Sequence, residues 1–141
     1  MAYAQWIIIH LINSMTSSTL KVKNAIPDKE KGEGWGKFYK DGNKDDEISA
    51  AEVNKVTVPP GGSANIYSCG RSDAASGTEG HIELWDGESK IGKVYWDCPW
   101  GSKSNDFGIS ERGNSYWVQN GAWSKDSGAI GTVDVEIGKK G

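Results

Sequence analysis

The chain has 141 residues, 36% hydrophobic and 25% charged, with a net charge of −3. That is the make-up of one soluble folded domain, residues 1–141, long enough to bury a core of its own. It lacks the clustered Lys and Arg that nucleic acid or a purely anionic membrane surface demands, so no nucleic-acid partner is expected.

Taken in chain order, the segments alternate with a period of two. The opening "MAYAQWIIIHLINSM" has no basic leading region, and His10 interrupts its apolar run. It reads as a strand within "AQWIIIHLIN" rather than a signal peptide, and no stretch approaches the roughly 20 apolar residues of a membrane span. The expected product is soluble, cytoplasmic or released by a non-classical route. "TLKVKNAI" follows as a half-buried strand, with Leu20, Val22 and Asn24 on one side and Lys21 and Lys23 on the other. Residues 28–34, "DKEKGEG", are a polar surface loop. "WGKFYK" reads as a strand and "EISAAEV", residues 47–53, as one or two helical turns. "NKVTV", "SANIYSC", "HIELWD", "KIGKVYWDC", "NDFGIS", "SYWVQ" and "TVDVEI" complete the strands. Asp41-Gly42, Pro59-Pro60-Gly61-Gly62, Asp86-Gly87 and Gly113-Asn114 punctuate them as turns. About ten short strands at this spacing predict an all-β, antiparallel β-sandwich.

Two motifs invite chemical readings. Residues 41–52, "DGNKDDEISAAE", nearly fit a calcium loop, with Asp41, Asn43 and Asp45 at positions one, three and five and Glu52 at twelve. Position six needs glycine for its sharp turn and holds Asp46, and the preceding segment is a strand rather than a helix. An acidic turn is the better reading, and calcium binding the lesser alternative. "DSGAIG" could suggest a serine nucleophile, but only His10 and His81 could serve as base and both fall in strands. No enzymatic activity and no cofactor are expected. Cys69 and Cys98 stand outside any CxxC pattern and are expected as buried thiols.

The 7 tryptophans exceed what core filling requires. Neighbours on a strand face opposite ways, so Tyr95 and Trp96 in "YWDCPWGSK" cannot both point inward, nor can Tyr116 and Trp117. Pro99 ends the strand and leaves Trp100 on a loop beside Lys103. Aromatic faces attract ammonium groups, and lysine attracts phosphate. Such a set suits a zwitterionic phospholipid headgroup; docking of a protein partner onto the exposed aromatics is the alternative. Trp85, Trp117 and Trp123 are expected to be ordinary sandwich packing.

"YWDCPWGSK", together with "GRSDAASGTEG", "AYAQW", "KDGNKDDEIS" and "SGAIGTVDVEIGKKG", resembles the aegerolysin family over nearly the whole chain. The resemblance implies a β-sandwich similar to actinoporin-like haemolysins, without enzymatic activity. It implies a cytolysin component that recognises membrane sphingolipid, either ceramide phosphoethanolamine or sphingomyelin with cholesterol. A perforin-like (MACPF) partner would then form the pore. Trp100 and Lys103 match the family's headgroup contacts, Tyr95 and Trp96 lie beside them, and Trp6 and Trp35 match tryptophans at the membrane-facing end. Asp73 and Asp97 are candidate acceptors for an ethanolamine nitrogen. Some members carry a glutamate, implicated in cholesterol-dependent sphingomyelin recognition, directly after the alanine pair of "GRSDAA"; here that position is Ser76.

Overall fold

A computed structural model describes residues 2–141. The strands are β1 (Trp6–Asn13), β2 (Leu20–Ile26), β3 (Lys37–Lys40), β4 (Asn43–Ile48), β5 (Thr57–Val58), β6 (Ser63–Cys69), β7 (Thr78–Asp86), β8 (Ser89–Cys98), β9 (Asp106–Ser110), β10 (Tyr116–Asn120) and β11 (Gly131–Lys139). They form two sheets, ordered β10-β11-β1-β6-β3-β4 and β5-β2-β7-β8-β9. A single helical turn, α1 (Ala50–Val53), is capped by Ser49, whose side chain accepts from the Glu52 amide.

The period-two pattern is what makes this a sandwich. Along β1, Ile7, Ile9 and Leu11 are buried while Trp6, Ile8, His10 and Ile12 face outward. Equivalent rows from β7, β8 and β11, including Ile82, Leu84, Val94, Val133, Val135 and Ile137, meet them in one continuous core. The expected antiparallel order needs one amendment, because β1 runs parallel to β11 along its length. The two strands are distant in sequence and come together from opposite ends of the chain, so no tight hairpin constrains their direction.

The region 41–53 also differs from expectation. Asp41 and Gly42 form a hairpin tip, but residues 43–48 are a strand paired back onto β3. The helix is therefore shorter than the expected 47–53. The strand leaves no wrapped calcium loop: in an extended chain Asn43, Asp45 and Glu47 stand along one face about 7 Å apart instead of turning round a single ion. No group of three or more His, Cys, Asp or Glu among the described residues is arranged for a metal. In β2 the alternation breaks at Asn24, which is exposed with φ of 54° at a shift in the β2–β7 register.

Trp96 is the largest fully buried side chain. Its ring packs edge-on against Phe38 of the other sheet, centroids 6.1 Å apart. Its indole N–H donates to Thr78 Oγ1 at 3.0 Å. Thr78 and Ser68 share a hydroxyl–hydroxyl bond of 2.7 Å, and Ser68 Oγ donates to the Lys37 carbonyl at 2.8 Å. This relay runs from β8 and β7 across the core to β6 and β3, so each buried polar group is satisfied by the next. Cys69 and Cys98 are buried free thiols, and burial pushes both up to about 11.

Candidate functional site

The relay ends at one end of the sandwich, where the termini of several strands meet. Trp6 pairs with Cys69, Lys37 with the same Cys69, Trp35 bridges to Glu79, and Thr78 pairs with Cys98. Between these ends lies a cleft of about 230 Å³, lined chiefly by Trp35, Ser76, Glu79, Asp97, Trp100 and Lys103. That volume suits a small polar group rather than a large ligand.

Local backbone chemistry sets the two tryptophans outward. Trp35 sits between Gly34 and Gly36, with φ of 77° and 87°. A Cβ at Gly36 would come within 2.4 Å of the Cys69 carbonyl oxygen, so the chain can pass there only without a side chain. The Trp35 amide and carbonyl bond reciprocally with Glu79, at 2.9 and 3.1 Å, and the indole is left 60% exposed. Trp100 follows Pro99 and is 42% exposed. These are the exposed large hydrophobic side chains of the described residues. Asn105 fixes the far end of the Trp100 loop. Its buried amide nitrogen lies within hydrogen-bond distance of the carbonyls of Ser124, Asp126 and Gly128, and its backbone N–H donates to Lys125.

The cleft is lined by charges of both signs, the exposed Lys103 and the carboxylates Glu79 and Asp97. Glu79, Asp97 and Asp106 are cross-strand partners in a row over β7, β8 and β9. The Asp97 carboxyl is held above the usual carboxylate range, first by burial and then by the charges of Glu79 and Asp106, with Lys103 acting against them. Tyr95 donates its hydroxyl to Glu79 Oε2. Burial, then that bond, pushes the phenol far above its ordinary value.

The expected site residues therefore separate. Trp35, Ser76, Asp97, Trp100 and Lys103 share the cleft, and Tyr95 reaches it through Glu79. Trp96 does not belong: at 0% exposure it is a core pillar beneath the site, with its polar atom spent on Thr78. Trp6 stands at the same end of the sandwich but outside the cleft, half-buried on the outer sheet face with the Lys44 ammonium 5.5 Å from its ring. Asp73 is exposed on the loop after Arg71 and lines no part of the cleft. Glu79 was missed by sequence reasoning. Its clue was its place on a strand continuous with "HIELWD", which extends back to Thr78 and pairs Glu79 with Asp97.

Comparison with known proteins adds to this geometry. The model of the Aegerolysin family matches residues 4–140. The chain is 60% identical over 139 residues to Asp-hemolysin of Aspergillus fumigatus, covering 99% of this chain and 96% of that one. It is 42% identical over 144 residues to ostreolysin A6 of Pleurotus ostreatus, covering 100% and 99%. The solved structure of the RahU protein superposes with a TM-score of 0.88 at 36% identity, covering 99% and 98%.

Proposed function

The chain belongs to the aegerolysin family, and on that premise we propose that it is a lipid-binding cytolysin component that reads a sphingolipid headgroup in the Trp35–Trp100 cleft. The carrying observation is that Lys103, Glu79 and Asp97 line one small cleft together with two exposed indoles. A phosphate meets the Lys103 ammonium, the headgroup nitrogen meets the carboxylates, and the indoles enter the interfacial layer where amphipathic rings are stable.

Glu79 and Asp97 are hydrogen-bond acceptors, which a primary ammonium can satisfy and a trimethylammonium cannot. This favours ceramide phosphoethanolamine over sphingomyelin. Ser76 leaves its wall of the cleft uncharged, so no cholesterol requirement is proposed. No helix among the described residues is long and apolar enough to cross a membrane, and the pore is assigned to a perforin-like (MACPF) partner. No catalytic role is proposed.

Co-sedimentation with vesicles of phosphatidylcholine, sphingomyelin with cholesterol, and ceramide phosphoethanolamine tests the reading. Selective binding to the last, weakened in Lys103→Ala, is the expected result. Binding to none of the three, or equal binding by wild type and Lys103→Ala, would overturn it. Dye release from bound vesicles by the purified chain alone would remove the need for a second protein.

A further inference from the structure

Residues 121–130 join β10 to β11 at the same end of the sandwich as the headgroup cleft, where Gly131 pairs with Ile7 beside Trp6, yet they line no part of that cleft. Two residues tie this segment to the Trp100–Lys103 loop. The Asn105 N–H donates to the Lys125 carbonyl at 2.9 Å, and its buried amide nitrogen lies 3.1, 2.7 and 3.2 Å from the carbonyls of Ser124, Asp126 and Gly128. Cys98, just before Pro99 and Trp100, donates its thiol to the Gly128 carbonyl at 3.1 Å. The segment also closes on itself and on β11, through the Gly121 N–H to Asp134 at 2.8 Å and the Ser124 N–H to Ile130 at 3.0 Å. Its backbone is therefore spoken for at nearly every step, while the Lys125 side chain is exposed.

We propose that Lys125 is a second phosphate contact, engaging the lipid beside the one whose headgroup occupies the cleft; this rests on the reading of this end as the membrane-facing one. Lys55, Arg71, Lys90, Lys93 and Lys139 are ion-paired, but among the described residues no carboxylate pairs with Lys125, its neighbour Asp126 included. Its ammonium meets only the Trp123 ring, 5.8 Å from the centroid, at the outer limit of a cation–π contact. That ring is itself held against Phe107, centroids 5.8 Å apart. An exposed ammonium without a carboxylate is open to a charge-assisted bond with phosphate, and a loop fixed by its backbone loses little freedom on making it. The cleft, of about 230 Å³, has room for one small polar group, and Lys125 lies outside it, so the phosphate that Lys125 meets belongs to a neighbouring lipid. Asn105 sets the spacing of the Lys103 and Lys125 loops, so two weak contacts act from one body and reinforce each other.

The test pairs vesicle sedimentation with a free headgroup. Vesicles of ceramide phosphoethanolamine in phosphatidylcholine are titrated against wild type, Lys125→Ala, Lys125→Glu, Lys103→Ala and Lys21→Glu. The last makes the same charge change at the opposite end of the sandwich, where Lys21 pairs with Trp85. Binding of soluble phosphoethanolamine to the same proteins is followed by amide chemical shifts. Lys125→Ala should sediment about fivefold more weakly than wild type and Lys125→Glu more weakly still, with Lys21→Glu unchanged. The phosphoethanolamine shifts should persist in both Lys125 variants and disappear in Lys103→Ala. Lys21, Lys103 and Lys125 are exposed, and Asn105 uses only the Lys125 backbone, so the variants keep the fold. Sedimentation of Lys125→Glu no weaker than that of Lys21→Glu would overturn the proposal. Loss of phosphoethanolamine binding in Lys125→Ala would overturn it too, by placing Lys125 on the lipid in the cleft. Weakening in Lys125→Glu with Lys103→Ala unaffected would remove the cleft reading and leave the Lys125 contact standing.

Discussion

Removing the two exposed indoles should weaken membrane binding about a hundredfold while leaving the fold intact. Trp35 is 60% exposed and Trp100 42%. With about 200 Å² for a tryptophan side chain, these fractions leave about 120 and about 85 Å² open to solvent. At about 25 cal/mol per Å², complete withdrawal from water would contribute about 3 and about 2 kcal/mol. Shallow insertion buries roughly half of that, so each alanine variant should lose about 1–1.5 kcal/mol, close to tenfold in affinity. The double variant should lose about a hundredfold if the two sites add. The assay is vesicle sedimentation against lipid concentration, with thermal melts alongside. Neither indole is in the core, so the melting temperature should move little. A folded Trp35→Ala/Trp100→Ala variant that still sediments as wild type does would refute the argument, because no other large apolar side chain of the described residues is exposed.

Four further outcomes follow from the geometry. Thr78→Val should cost about 1–3 kcal/mol in denaturant unfolding, because the indole N–H of Trp96 and the hydroxyl of Ser68 lose their buried partner. Gly77→Ala should cost at least about 2 kcal/mol and disturb the cleft, since its Cβ would lie 1.7 Å from the Cys98 carbonyl oxygen; a melt equal to wild type would contradict that packing. Asp97→Asn should raise stability at neutral pH. The folded-state carboxyl titrates above its unfolded value, so ionisation costs stability as pH rises through that window, and the gain should vanish below the unfolded range of about 4. Glu47 behaves oppositely: its bidentate bond with Arg71, at 2.7 and 2.8 Å, holds its carboxyl below the usual range. That contribution is present above the unfolded value and lost as pH falls through the folded one, so wild type should lose more stability on acidification than Glu47→Gln does.

What the sequence determined by itself was set by local rules. Strict alternation in "WIIIHLIN" and "VYWDC" decided which side chains share a face, because a strand has only two faces. Pro99 and Gly101 put Trp100 on a loop, and the family resemblance was carried by motifs such as "YWDCPWGSK". Alternation said that Tyr95 and Trp96 differ, but not which one is inside; that depended on Phe38 and Thr78 waiting on other strands. The parallel β1–β11 pair and the Glu79–Asp97–Asp106 row join residues distant in the chain. Their partners are fixed by strand order and register rather than by any local pattern. The same holds for Trp6, Trp35 and Trp100. The family resemblance named all three at the membrane-facing end, but only strand ends converging at one end of the sandwich decided that two share a cleft and the third stands beside it.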